Sequence, residues 1–132
     1  MHYRQFYSEL AKLLYGLANI DGKISKKEKE ELRAIVRNEL VPAEKHIDHF
    51  GTDAAYYTEI EFDILEETVA DPKAAFESFI DYIENHHSAI DGRMRELSLR
   101  AAKRIAETYH KTSNKEKVLI TKLEAKLKML PA

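Results

Sequence analysis

A-N-I-D-G-K-I-S-K-K-E, residues 18 to 28, is an acidic turn set between two helical patterns, and it returns as A-I-D-G-R-M-R-E at residues 89 to 96. Asp21-Gly22 is a turn pair that tolerates a left-handed backbone where a helix stops. Ile24 then plugs the loop into a core. Ser25 and Glu28 stand three apart, the spacing of a capping box, in which the serine caps a new helix and the glutamate reaches back to the serine's own amide. The joint therefore reads as helix, Asp-Gly turn, helix.

Working outward, a shift of 70 residues lays Phe6 on Phe76, Ser8 on Ser78, Ile20 on Ile90, Asp21 on Asp91, Gly22 on Gly92 and Ile35 on Ile105. Leu10 with Ile80 and Leu13 with Ile83 are similar pairs in the same register. The spacing predicts two pseudo-repeats, about residues 3–40 and 73–110, separated by an acidic segment 41–71 and closed by a helix over 114–130. The expected fold is an all-α, compact helical bundle of about six to seven helices in one domain spanning 1–132.

Helical periodicity fills in the elements. Tyr3, Phe6, Tyr7, Leu10, Leu13, Leu14 and Leu17 give a first helix over 3–18 with one apolar stripe. Leu32, Ile35, Val36 and Leu40 mark the inner face of a second over 26–40, with Lys26, Lys27, Lys29, Glu30 and Glu31 outside. Residues 43–51 form a short helix, and Thr52 or Asp53 caps a third long helix over 54–69 with Tyr57, Ile60, Ile64 and Leu65 inward. Asp71-Pro72 starts a helix over 72–89 that buries Phe76, Phe79, Ile80 and Ile83. Met94, Leu97, Ala101, Ala102, Ile105 and Tyr109 form the next stripe. Ser113 and Glu116 repeat the capping box ahead of Val118, Ile120, Leu123, Leu127 and Leu130.

Composition narrows the function classes. A net charge of -2 offers no global field to recruit nucleic acid. The absence of cysteine removes disulfides, thiolate catalysis and zinc-thiolate sites. No apolar run reaches a membrane span and the first residues do not read as a signal peptide, so the expected location is cytoplasmic, without stable membrane insertion. There is no phosphate-cradling glycine loop, nucleophile elbow or H-E-x-x-H motif, which favours binding over catalysis.

A helix ending in small residues, then D-G-x-I-x-x-x-E, then a helix, repeated once in an all-helical chain, resembles the TerB family of tellurite-resistance proteins and a related domain in some membrane-anchored DnaJ-like proteins. The first motif carries over as Asp21, Gly22 and Glu28. The second carries over as Asp91 and Gly92 only, because Ser98 stands where the glutamate belongs and Glu96 lies two residues early. The resemblance implies two helical pseudo-repeats, acidic residues near the turns as a divalent-metal site, and a role in stress-response or metal-associated protein complexes. It does not imply tellurite resistance itself, since the family is wider than that phenotype.

Residue chemistry bears on the metal separately. Numbered as an EF-hand loop, Asn19, Asp21, Ile24 and Glu28 take positions three, five, eight and twelve, but Leu17 occupies the first ligand position. The candidate metal residues are Asp21, Glu28 and Asp91, with Asn19, Glu96 and His87 as further ligands and calcium or manganese as the ion. His86 and His87 beside Asp91 would instead suit a transition metal, the basis of an alternative reading as a metal-dependent enzyme. A third reading makes the turns caps only, in a structural interaction domain. Glu84 with His87, and Glu107 with His110, have the E-x-x-H spacing of di-iron bundles, but the helical geometry keeps the pairs apart. His46, Asp48 and His49 could share a face of the short helix, or be turn residues. Residues 41–71 hold nine carboxylates against Lys45 alone, an acidic surface that either is simply solvated or docks a basic partner. The lysines of the last helix could lie on an anionic membrane, though its leucines read as core.

Overall fold

The computed structural model describes residues 3–20, 26–40, 56–107 and 114–131. The Asp21-Gly22 turn with Ile24 and Ser25, the short helix over 43–51 with His46, Asp48 and His49, the caps Thr52 and Asp53, and Tyr109, His110 and Ser113 lie outside the described residues. The described chain forms six α-helices and no strand. They are α1 Tyr3–Asn19, α2 Lys26–Ile35, α3 Tyr57–Glu67, α4 Pro72–Asn85, α5 Gly92–Ala106 and α6 Asn114–Met129. A π-helical turn, Val36–Leu40, continues α2, and a short 3-10 turn, His87–Ala89, follows α4.

The bundle is assembled around α1. A helix that is apolar on one stripe needs one neighbour, whereas one that is apolar all round must be enclosed. Ala11, Tyr15 and Ala18 are buried together with Phe6, Tyr7, Leu10, Leu13, Leu14 and Leu17, so the expected apolar stripe of α1 is broad enough to need several neighbours, with Gln5, Ser8, Glu9, Lys12 and Asn19 gathered on the remaining polar side. Helices α3, α4 and α5 pack against it. Each large side chain removed from water there contributes roughly 1.5–3 kcal/mol. Helix α2 packs on α5, and α6 lies across α5 and α4.

Close approach fixes the α1–α4 crossing. A Cβ on Gly16 would stand 2.7 Å from the Pro72 carbonyl oxygen and 3.0 Å from Phe76 Cβ, so only glycine lets the first turn of α4 sit so near. That first turn is also capped as expected: the Ala74 N–H donates to Asp71 Oδ2 at 3.1 Å, and Pro72 supplies the first helical residue without wasting a donor. Phe76, Phe79, Ile80 and Ile83 are then buried, joined by Ala75 and Tyr82. The helix stops at Asn85, four residues before the expected end, because His86 leaves the helical region and the chain tightens into the 3-10 turn.

On α5 the expected inner face is in place over Met94, Leu97, Ala101, Ala102 and Ile105, and the buried Ser98 hydroxyl is satisfied by donating to the Met94 carbonyl at 2.9 Å. Two helices turn differently from expectation. On α3 the buried residues are Thr58 and Phe62, while Ile60 and Ile64 are 51% and 46% exposed. Phe62 meets the Tyr15 ring edge-on at 5.8 Å, and the Thr58 hydroxyl donates to the Tyr7 carbonyl at 3.3 Å, so the contacts with α1 select that side. On α6, Leu123 is buried together with Leu119, which the apolar spacing passes over, while Val118, counted in that spacing, is 66% exposed.

Ion pairs tie the outer helices to their neighbours. Lys29 of α2 meets Glu66 of α3 at 2.8 Å, Glu31 of α2 pairs with Arg104 of α5, and Lys122 and Lys126 of α6 pair with Glu77 and Glu84 of α4. Lys29 and Glu31 are therefore partly covered rather than part of a freely solvated face. The side-chain hydrogen bond from Lys126 to Glu84 raises the lysine's pKa above its ordinary value.

Candidate functional site

The second Asp-Gly turn is built as a helix start. Asp91 is the N-cap of α5, with an extended backbone at φ -77 and ψ 175, and its Oδ1 accepts the Met94 N–H at 2.9 Å. Gly92 is the first helical residue, and a Cβ there would meet nothing within 4 Å. The cap gives Asp91 a role that any helix start would require. Arg95 secures the segment ahead of it by donating to the carbonyls of Ile90 and His87 at 3.0 and 3.1 Å, and to that of Pro131 at 2.8 Å. One guanidinium thus joins the turn to the end of the described chain. This staple had no motif to announce it, because its acceptors are backbone atoms.

The other candidate ligands are distributed. Glu96 is exposed and paired with Arg100 one turn on, at 2.9 Å. His87 is partly buried beside Glu84, Lys126 and Met129. Asn19 donates from its amide to the Tyr15 hydroxyl at 3.1 Å, and that hydroxyl in turn donates to the Ala70 carbonyl at 2.6 Å. Glu28 is buried, 4% exposed, in the first turn of α2. Asp21 lies outside the described residues. Among the described residues, no three histidine, aspartate or glutamate side chains gather where they could hold a metal ion.

A second polar cluster lies between α1 and α4. Glu9 accepts from the Ser78 hydroxyl at 3.0 Å and from Lys12 at 3.0 Å. Burial pushes the nearby Tyr82 phenol up from its ordinary pKa, with the Glu9 carboxylate adding to the effect. Every member has a partner within the crossing, which makes the cluster a polar seam of the bundle.

An exposed apolar stripe runs along the outer side of α3. Tyr56, Ile60 and Ile64 recur every four residues and are all exposed. Asp63 and Glu67 are exposed on the same side of the wheel. Helix α3 carries five carboxylates and no basic residue, and only Glu66 is ion-paired among the described residues. Beyond its end, the Val69 N–H donates to the Glu66 carbonyl at 3.1 Å and the Ala70 N–H to the Leu65 carbonyl at 3.0 Å, the two bonds of a Schellman cap. Val69 sits at φ 51 in that cap and is 81% exposed. A β-branched residue is strained in the position that normally takes glycine.

Sequence patterning names the acidic side of this segment but puts Ile60 and Ile64 inside, and so misses the apolar stripe on the surface. The signal was present: Phe62 and Thr58 offer an alternative inner stripe, and Asp63 and Glu67 fall with the isoleucines. No helix among the described residues is long and apolar enough to cross a membrane. No family model matches the chain, and neither a curated protein nor a solved structure matches it.

Proposed function

We propose that the chain is a non-enzymatic, TerB-like binding module that works inside a cytoplasmic protein complex, in a stress-response or metal-associated setting. The observation that carries this proposal is the outer side of α3, where Tyr56, Ile60 and Ile64 stay exposed between carboxylates although α3 has a separate inner face. Apolar side chains aligned on one helix face and bordered by one sign of charge suit a protein partner with a basic, amphipathic surface. Purification of the tagged chain from its own cells, as wild type and as Ile60→Glu/Ile64→Glu, tests it. A stoichiometric partner present with the wild type and lost from the folded variant is expected; the same partner with both would overturn the proposal.

The duplication fits the same family reading. At a shift of 70 residues α1 overlies α4 and α2 overlies α5, and Phe6 with Phe76, Leu13 with Ile83 and Ile35 with Ile105 are buried in both halves.

A divalent ion at the first Asp-Gly turn is the second element of the proposal, and the D-G-x-I-x-x-x-E spacing from Asp21 to Glu28 favours it. Oxygen donors from Asp21, Glu28 and Asn19 would suit calcium or manganese. When bound, the ion would supply charge to hold the turn; Asp91 would serve the second turn only beside its capping role. Thermal melts with and without calcium, manganese and zinc, run beside Asp21→Asn, test this. Ion at 100 times its dissociation constant adds about 2.7 kcal/mol to stability, and that gain should vanish in the variant. No gain with any ion would leave Glu28 as a helix-start residue only.

A further inference from the structure

The face that α3 leaves uncovered has a chemical counterpart on the same chain. On α6, Val118, Ala125 and Met129 are exposed and lie on one side of the helix. Lys115, Lys117 and Lys128, also exposed, border that stripe, while Lys122 and Lys126 are spent on Glu77 and Glu84 of α4. The two stripes match in reach, about 12 Å from Tyr56 to Ile64 and about 16 Å from Val118 to Met129 at the helical rise. They are opposite in charge. Of the large apolar side chains exposed among the described residues, every one belongs to α3, its cap or α6.

We propose that the α3 face of one copy docks on the α6 face of a second copy, head to tail, which rests on the reading of α3 as a binding face and names its partner. Pairing two α3 faces with each other is disfavoured, because Asp63 and Glu67 of one would meet the same carboxylates of the other. Two α6 faces would bring lysines together in the same way. Only the unlike pairing joins apolar to apolar with acids against bases. Such an interface is heterologous, so a docked pair keeps one free face of each kind and assembly continues until a ring closes or the chain of copies ends. Two short stripes fall below the roughly 1,200 Å² of a standard interface. Association is accordingly weak, concentration-dependent and sensitive to salt, since the Debye length contracts to about 3 Å at 1 M.

Sedimentation velocity of the full chain over about 10 μM to 1 mM, spanning the weak range of affinity, tests this with two variants. Ile60→Glu/Ile64→Glu breaks the α3 face, and Val118→Glu/Met129→Glu breaks the α6 face. Wild type is expected to form multimers at low salt that dissociate at high salt. Each variant alone is expected to be monomeric, and an equimolar mixture should double in mass and stop there, because one intact face of each kind remains. The charge variant Asp63→Lys/Glu67→Lys, checked for helix content, repeats the α3 arm should the isoleucine variant fail to fold. A wild type that stays monomeric throughout, variants that multimerise like wild type, or a mixture that stays monomeric would each overturn the proposal. If a monomeric chain nevertheless loses a cellular partner on Ile60→Glu/Ile64→Glu, α3 remains a binding face and only its occupant is a different basic protein.

Discussion

Helices α1 and α3 pack against each other, yet they treat their apolar residues in opposite ways. In α1 the apolar positions form one broad stripe, and Phe6, Tyr7, Ala11, Leu14 and Tyr15 are all enclosed. In α3 they fall into two stripes, and only the one with Thr58 and Phe62 is enclosed. The pair shows that apolar spacing announces a helix and its faces, but the neighbour chooses which face is buried. Here the choice went to the ring that meets Tyr15 and the hydroxyl that reaches the Tyr7 carbonyl. What is left outside becomes available for binding.

The widest separation between the two stripes should come from truncation. Phe62→Ala is expected to lose about 3–5 kcal/mol as a cavity opens against Tyr15, whereas Ile60→Ala on the same helix should stay within about 0.5 kcal/mol. Urea unfolding of both variants measures the difference, and equal losses would put Ile60 in the core. Two glycines sharpen the contrast between a close helix crossing and an open helix start. Gly16→Ala drives a Cβ against the backbone of α4 and is expected to cost about 1–3 kcal/mol; Gly92→Ala, in open space at a helix start, should be neutral or slightly stabilising. A smaller effect, about 1 kcal/mol, is expected on removing the α5 cap with Asp91→Ala, and a melt of that variant free of metal isolates the capping contribution. The smallest is a gain: Val69→Gly relieves the left-handed valine at the end of α3 and should add roughly 0.5–1 kcal/mol. A loss there would mean that the Val69 side chain makes contacts that outweigh its backbone strain.

Much of the fold was legible in the residues. Asp71-Pro72 announced the start of α4, and the stripes Phe76 to Ile83 and Met94 to Ile105 named its inner face and that of α5. The errors share a cause. Spacing alone turns Ile60 and Ile64 inward and counts Val118 in the α6 stripe, but the charges that share their side mark it as the outer one. Gly16 escaped notice because a glycine's role in a crossing depends on a residue 56 positions away in Pro72. Arg95 escaped because it binds carbonyls, which every residue has. Of the proposed metal residues, the capping role of Asp91 follows from its position ahead of Gly92 and Met94, whereas the capping-box spacing gives no sign that Glu28 is buried. Which side chains share a cation is a matter of tertiary placement, and spacing along one turn does not determine it.

The central claim is that the outer isoleucines of α3 serve a partner and not the chain's own core. The most direct test is the urea unfolding midpoint of Ile60→Glu/Ile64→Glu, measured on dilute monomer beside the wild type. A stability within about 1 kcal/mol of wild type is expected, because exposed side chains contribute little to folding. A loss of about 4 kcal/mol or more, the mark of charge forced into a core, would contradict it and return Ile60 and Ile64 to the interior.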